Sequence, residues 1–236
     1  MITNQRIPIT LIIPVYNMQD YIEDCLQSLV NQTYKNFETV IIDDGSNDKS
    51  VEKILSFKDK LKFKLIKQKN AGLGPARNKG IKNASRKYVA FLDSDDEISH
   101  FYMEKLFNVI KSSNPDIINF SYIVDETFLS KRTQHGMHNK STSPFHYFKN
   151  ILSMKIGSAS CFKLYKKSLI INNNLYFPAM LHEDLPWTYK TFYYAKKIRN
   201  INKDALYIWK KRNDSISKTL SIRHIEGFKK VINMSY

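Results

Sequence analysis

A chain of 236 residues with 42% apolar and 13% aromatic residues can bury one sizeable core with a shorter tail, and it has no long low-complexity stretch that would argue for disorder. Its longest apolar runs, such as residues 9–15, fall far short of the roughly 20 that span a bilayer, and no basic segment leads into an apolar signal core, so the expected location is the cytoplasm. Two cysteines without metal-ligand spacing exclude a disulfide framework and a Cys/His zinc site, while the formal charge of +15 reads either as a general lysine and asparagine bias or as the mark of an anionic partner other than nucleic acid.

The first 125 residues alternate short β-rich runs with helical patterns, the signature of βαβ units and a mainly parallel sheet. Strands are predicted at 7–15, 37–43, 63–67, 88–92 and 116–122. A first helix at 21–32 places Ile22, Leu26, Leu29 and Val30 on one face, with Asp20 or Asn17 as its cap. A second helix follows Asp48 at 49–57, and a third runs from Pro75, a residue suited to a first turn, to about 84. Residues 130–143 turn polar and irregular and read as a loop or insertion. Beyond them come a helix at 145–154, a strand at 161–165, a helix after His182-Glu183-Asp184 and a short strand at 205–209. The last segment, 222–236, reads as a helix with no Gly or Pro terminator, the pattern of a truncated or continuing chain.

In an open parallel sheet, ligands sit beyond the carboxyl ends of the strands. Four predicted strands end in suggestive residues. The cluster Asp93-Ser94-Asp95-Asp96 sets three carboxylates within four residues, which repel one another unless a cation or basic groups neutralise them. If the backbone there is extended, Asp93 and Asp95 project to one side, and hard oxygen donors of this kind suit magnesium or manganese. A solvated acidic turn or a cap for the helix near Phe101 is the alternative. In Asn70-Ala71-Gly72-Leu73-Gly74-Pro75-Ala76-Arg77-Asn78, the glycines permit a sharp turn and close approach to a ligand, and the helix N-terminus favours anions. Arg77 either clamps a diphosphate or pairs with an aspartate of the acidic cluster. Asp43 is placed to accept hydrogen bonds from a base or ribose; Asp44-Gly45-Ser46 reads equally as a turn. After the first strand, Pro14-Val15-Tyr16-Asn17 offers Tyr16 for stacking on a base or for the core.

Taken in order, these four clusters, together with Ser28-Leu29, Gln32-Thr33 and His182-Glu183-Asp184, closely resemble the motifs of family 2 glycosyltransferases over about residues 7–217. The resemblance implies a GT-A-like, Rossmann-type α/β fold. Residues 1–125 would be its nucleotide-sugar half, 126–217 its acceptor-side half and 218–236 a C-terminal helix. It implies an inverting enzyme that takes its sugar from a nucleotide-diphospho-sugar, UDP-sugar favoured, and passes it to a glycan or lipid-linked glycan, as in bacterial polysaccharide or lipooligosaccharide synthesis.

Position by position, the resemblance puts Asp43 on the base and Arg77 along the diphosphate. Pro14, Tyr16, Asp44, Asn70, Gly72 and Ser94 would stand around the donor. Asp93 and Asp95 would form the DxD pair for Mn2+ or Mg2+, with Asp95 the direct ligand. Asp184 would be the general base, with Glu183 as competitor. Within the Tyr207-x-Trp209 segment that follows, Arg212 and Ser217 would either reach the diphosphate or lie on the surface. The Gln-x-x-Arg-Trp motif of processive, membrane-embedded synthases is missing, which implies non-processive transfer. A basic surface would suit peripheral association with an anionic inner-membrane face.

Two other classes compete. A sugar nucleotidyltransferase would share the α/β core, but it opens with a Gly-rich phosphate loop that Pro14-Val15-Tyr16-Asn17 does not supply. A non-catalytic anion-binding module would fit the charge, but it has no need of the full carboxylate set.

Overall fold

Every residue of strand β1 (Ile9–Val15) is buried, as a strand covered by helices on both sheet faces requires. The computed structural model describes residues 6–126, 131–135 and 158–211, with backbone alone at 126 and 131–135. β1 is followed by α1 (Ile22–Val30), β2 (Glu38–Asp43), α2 (Ser50–Leu55), β3 (Lys64–Lys67), α3 (Leu73–Asn83) and β4 (Tyr88–Phe91). β1 pairs in parallel with β2 and β4, and β2 with β3, which is the predicted βαβ half.

After it come β5 (Glu97–Ile98), α4 (Tyr102–Ser113), β6 (Ile117–Glu126), β7 (Lys131–His135), β8 (Lys163–Lys166), α5 (Lys167–Asn172), α6 (Asp184–Tyr194) and β9 (Ile198–Lys210). One sheet in the order β3-β2-β1-β4-β8-β6-β9-β5 takes in both halves, with β7 added on β6. β8 runs antiparallel between β4 and β6, and β9 runs parallel to β6. Among the described residues, no helix is long and apolar enough to cross a membrane.

Alternation along β1 feeds two cores. Leu11 and Ile13 pack with α1, α2 and α4 through Cys25, Leu26, Leu29, Ile54, Met103 and Leu106. Ile12 faces the opposite layer with Ile81, Phe91, Trp187 and Phe192. Each fully buried side chain of this size stabilises the fold by about 1.5–3 kcal/mol. α3 lies so close to β1 that a Cβ at Gly80 would stand 2.2 Å from Ile12 Cγ2. Both cysteines are buried, and burial pushes their thiols well above the ordinary value, as suits small core hydrophobes.

Several local expectations change. Residues 131–135 form β7, antiparallel to β6, where the polar composition predicts a loop; ladder hydrogen bonds to a neighbouring strand need no apolar pattern on an edge. The short strand predicted at 205–209 is the end of a much longer β9. Neither Asp20 nor Asn17 caps α1, whose N-cap position is Tyr21 and has no side-chain cap; Asn17 Oδ1 instead accepts from Asn47 N at 3.0 Å. Asp48 does serve the start of α2, accepting from Ser50 N at 2.9 Å, and it also accepts from Gln19 N at 3.0 Å. Gln32 is a brace: it donates to Ser28 O and Ser99 O and accepts from Met103 N, tying α1 to the β5–α4 junction. The helices predicted at 145–154 and 222–236 lie outside the described residues, as do Arg212 and Ser217.

Candidate active site

Four segments meet at the carboxyl ends of β1 to β4, where the topology of a parallel sheet leaves a crevice. Pro14, which has no N–H, follows the last β1–β4 pair and leads into exposed Tyr16. Asn17 takes a left-handed φ of 52° and turns the chain away. Asp43, 3% exposed, ends β2 and accepts from Ser46 N at 3.0 Å. Asp44 is equally buried, and its carboxylate is turned into the neighbouring loop. Oδ1 accepts from Gln68 Nε2 (2.7 Å) and Ala71 N (2.9 Å), and Oδ2 from Gly72 N (2.9 Å).

That network fixes the loop from exposed Asn70 to Gly72, where a φ of 94° requires glycine and opens α3. Gly74 has a different use from the predicted ligand approach. A Cβ there would stand 2.5 Å from Pro178 O, so it admits the chain segment that precedes α6. Asn78 binds the same segment twice, donating to Phe177 O at 2.8 Å and accepting from Phe177 N at 2.9 Å.

The acidic cluster after β4 is a tight turn closed by Asp96 N to Asp93 O at 3.0 Å. The extended backbone that would place Asp93 and Asp95 on one side is therefore not what forms. Ser94 and Asp96 are buried, while Asp93 and Asp95 are partly exposed. β9 holds the turn from below. Tyr207 Oη donates to Asp96 Oδ2 at 2.7 Å and accepts from Asp93 N at 3.1 Å, and Lys210 N donates to Asp96 Oδ1 at 2.9 Å. Burial and the neighbouring Asp95 and Asp93 raise the Asp96 carboxyl well above the ordinary range. Asp96 and Tyr207 belong to the sequence motifs without a task of their own there; the Tyr207-x-Trp209 pattern is the sequence signal for them.

Across the crevice, α6 begins at Glu183 and Asp184, just after His182 in a left-handed conformation with φ 61°. Arg77, 1% exposed, joins this side to the turn. Nη1 donates to Glu183 Oε1 (2.6 Å) and Asp184 Oδ1 (2.9 Å), and Nη2 donates to Asp93 Oδ1 (2.8 Å). Asp184 Oδ2 accepts from Ser160 N at 3.2 Å, a contact that nothing in the motif pattern announces. Burial opposes the charge on Arg77, yet Asp184, Asp93 and Glu183 together hold it well above its ordinary value. Burial lifts Glu183 to about 7, against the pull of Arg77 and with the push of Asp184. One guanidinium thus faces three carboxylates, with Asp95 and Asp96 close behind.

Such an excess of negative charge, presented by oxygen donors on a turn, fits a hard divalent cation. Asp93 and Asp95 are the partly exposed carboxylates of this turn. Among the described residues, no three His, Cys, Asp or Glu side chains gather as a complete ligand set, so a cation there needs further oxygens from what it binds with.

With this geometry in view, comparison with known proteins gives a consistent result. The glycosyl transferase family 2 model matches residues 10–172, and the chain belongs to that family. It is 34% identical over 221 residues to the glycosyltransferase GlyA of Streptococcus pneumoniae, covering 89% of this chain and 31% of that protein. The first two curated relatives it matches are longer, and it spans 62% and 31% of their lengths. Among solved structures, S. aureus TarS 1–349 in complex with UDP-GlcNAc superposes with a TM-score of 0.82 at 24% identity, covering 96% of this chain and 66% of that one. A mannosyltransferase from Pyrobaculum calidifontis in complex with GDP-Man and Mn2+ superposes with a TM-score of 0.69 at 14% identity, covering 98% of this chain and 65% of that one. These likenesses establish the GT-A-type α/β fold.

Proposed function

We propose that this chain is an inverting, non-processive glycosyltransferase that moves a sugar from a nucleotide-diphospho-sugar, UDP-sugar favoured, to a hydroxyl of a glycan or lipid-linked glycan. The observation that carries the reading is the juxtaposition of Asp184 and the Asp93–Asp96 turn, which one guanidinium joins at 2.9 and 2.8 Å. Family membership and neighbours crystallised with nucleotide-sugars support it. Residues 1–125 would receive the donor and 126–217 the acceptor.

On the donor side, Tyr16 and Asp43 are suited to the base and ribose, and Asn70 and Gly72 to the sugar-diphosphate, on a loop that Asp44 holds rigid. Asp93 and Asp95 would hold Mn2+ or Mg2+, which supplies charge stabilisation to the departing nucleoside diphosphate. On the acceptor side, Asp184 has one oxygen on Arg77 and one on Ser160 N–H, and its 21% exposure leaves lone pairs open to the crevice. As the acceptor oxygen bonds to the anomeric carbon and the bond to the diphosphate breaks, Asp184 takes the hydroxyl proton.

The test is a binding panel of UDP-, GDP-, dTDP- and CMP-sugars with manganese and then with EDTA. Metal-dependent binding of one class, lost in Asp95→Ala, is the expected result. No binding of any donor, or turnover unchanged in Asp95→Ala, would sink the proposal. The positive charge is suited to an anionic inner-membrane face; equal binding to neutral and anionic liposomes would count against that.

A further inference from the structure

Arg77 sits where the resemblance would have it lie along the donor diphosphate, yet its surroundings point elsewhere. A guanidinium has five N–H donors in a fixed plane. Here Nη1 is shared between Glu183 and Asp184, and Nη2 is on Asp93. The plane is backed by the rings of Phe91, 5.8 Å away, and Phe177, 5.4 Å away. Phe177 in turn stacks on Trp187 of α6 at 4.0 Å. Nε is a buried atom without a partner, so it too lies away from the open crevice.

The neighbouring residues of α3 face the same way. Gly74 admits Pro178 O, and Asn78 clamps Phe177 at both its N–H and its carbonyl. This side of α3 receives the protein segment that delivers Glu183 and Asp184.

We infer that Arg77 is a positioning residue, which holds the base Asp184 at a set distance from the Asp93 turn, and is not a ligand of the donor diphosphate. The inference rests on the transferase reading above and assigns a different task to one residue within it. Two carboxylates on opposite walls repel each other, and a planar fork between them fixes both their separation and their orientation. Lysine, a point charge, can restore the neutralisation but not the fork.

Binding of the nucleoside diphosphate that the donor panel selects, UDP first, is to be measured by calorimetry with Mn2+ for the unaltered protein, Arg77→Lys and Arg77→Gln. Turnover is to be measured as nucleoside diphosphate release from the matching nucleotide-sugar at saturation. The expected result is a Kd within about twofold of the unaltered protein, with turnover down about 100-fold or more in Arg77→Gln, as when a general base is lost, and partly restored in Arg77→Lys. A Kd weakened roughly tenfold or more with saturated turnover preserved would overturn the inference, because that is the behaviour of a substrate ligand.

Should both variants fail to fold, the unaltered protein with donor bound decides the question. A guanidinium still on Asp93, Glu183 and Asp184 supports the assignment, and a phosphate oxygen within about 3.2 Å of any of its nitrogens refutes it. Unaltered protein that binds no nucleotide-sugar refutes the transferase reading itself and takes this inference with it.

Discussion

On the proposed donor side, Tyr16, Asp43, Asn70 and Asp93 stand at or just beyond the ends of four parallel strands, and Asp44 ties the loop after β2 to the loop after β3 across 27 residues of chain. On the facing side, Glu183 and Asp184 open α6, 106 and 107 residues after the arginine that receives them. The first wall is a product of strand-end chemistry. The second is docked onto it through α3, by a glycine that makes room, an asparagine that pins the backbone and an arginine that gathers the carboxylates. On the proposed function, binding and bond-making should therefore be separable by mutation, because different elements set them.

Three substitutions test that separation, and a fourth tests the charge state of Glu183 beside the base. The largest effect belongs to Asp184→Asn, which keeps the shape of the side chain but removes the base. Turnover should fall by about 10²–10⁴ with donor Kd retained. Steady-state rates beside calorimetric donor binding read this directly, and a variant with full turnover would move the base elsewhere, Glu183 first.

Gly74→Ala comes next, because its Cβ would stand 2.5 Å from Pro178 O, a backbone atom that cannot step aside without shifting the segment before α6. A loss of about 1–3 kcal/mol in urea unfolding is expected. Turnover should drop more than donor affinity, since the displaced wall is the one that carries Asp184. Equal damage to both would mean that the walls move as one.

Asp44→Ala should cost about 1–3 kcal/mol as well, toward the lower part of that range because the freed donors lie near solvent at Gln68, Ala71 and Gly72. Its signature is the mirror image of the previous one: donor affinity falls more than saturated turnover. Thermal melts with and without the selected nucleotide check both parts.

The smallest effect is a pH slope. Glu183 is lifted from an ordinary 4.5 to about 7, so the folded chain binds its proton more tightly than the unfolded one. Its contribution to stability is therefore present in full below about pH 4.5 and lost as pH rises through about 7. Urea midpoints across that window should flatten in Glu183→Gln relative to the unaltered protein. A slope of the same size in the variant would assign the titration to another group.

The pattern of hydrophobic runs and polar strand ends was enough to place β1 to β4 and the donor-side clusters, because strand periodicity, helix punctuation and glycine turns act over a few residues. Composition alone misread residues 131–135, whose place in the sheet comes from hydrogen bonds to β6 and not from any apolar face. The same local view leaves Asp93-Ser94-Asp95-Asp96 open between an extended pair and an acidic turn, and Tyr207 and Lys210 from β9, bonded to Asp93 N and Asp96, hold it as the turn.

Residue types in order, then, were sufficient for the family, the α/β class and the carboxylates on which the proposed reaction rests. Only the tertiary structure decided how those carboxylates are shared out. Sequence order left Arg77 open between a phosphate and an aspartate, and long-range packing of β8, α6 and β9 against the parallel half brings Asp93, Glu183 and Asp184 to one guanidinium. The physical reason is that a buried charge takes whichever opposite charges the fold sets beside it, and which those are depends on contacts more than 100 residues apart in the chain.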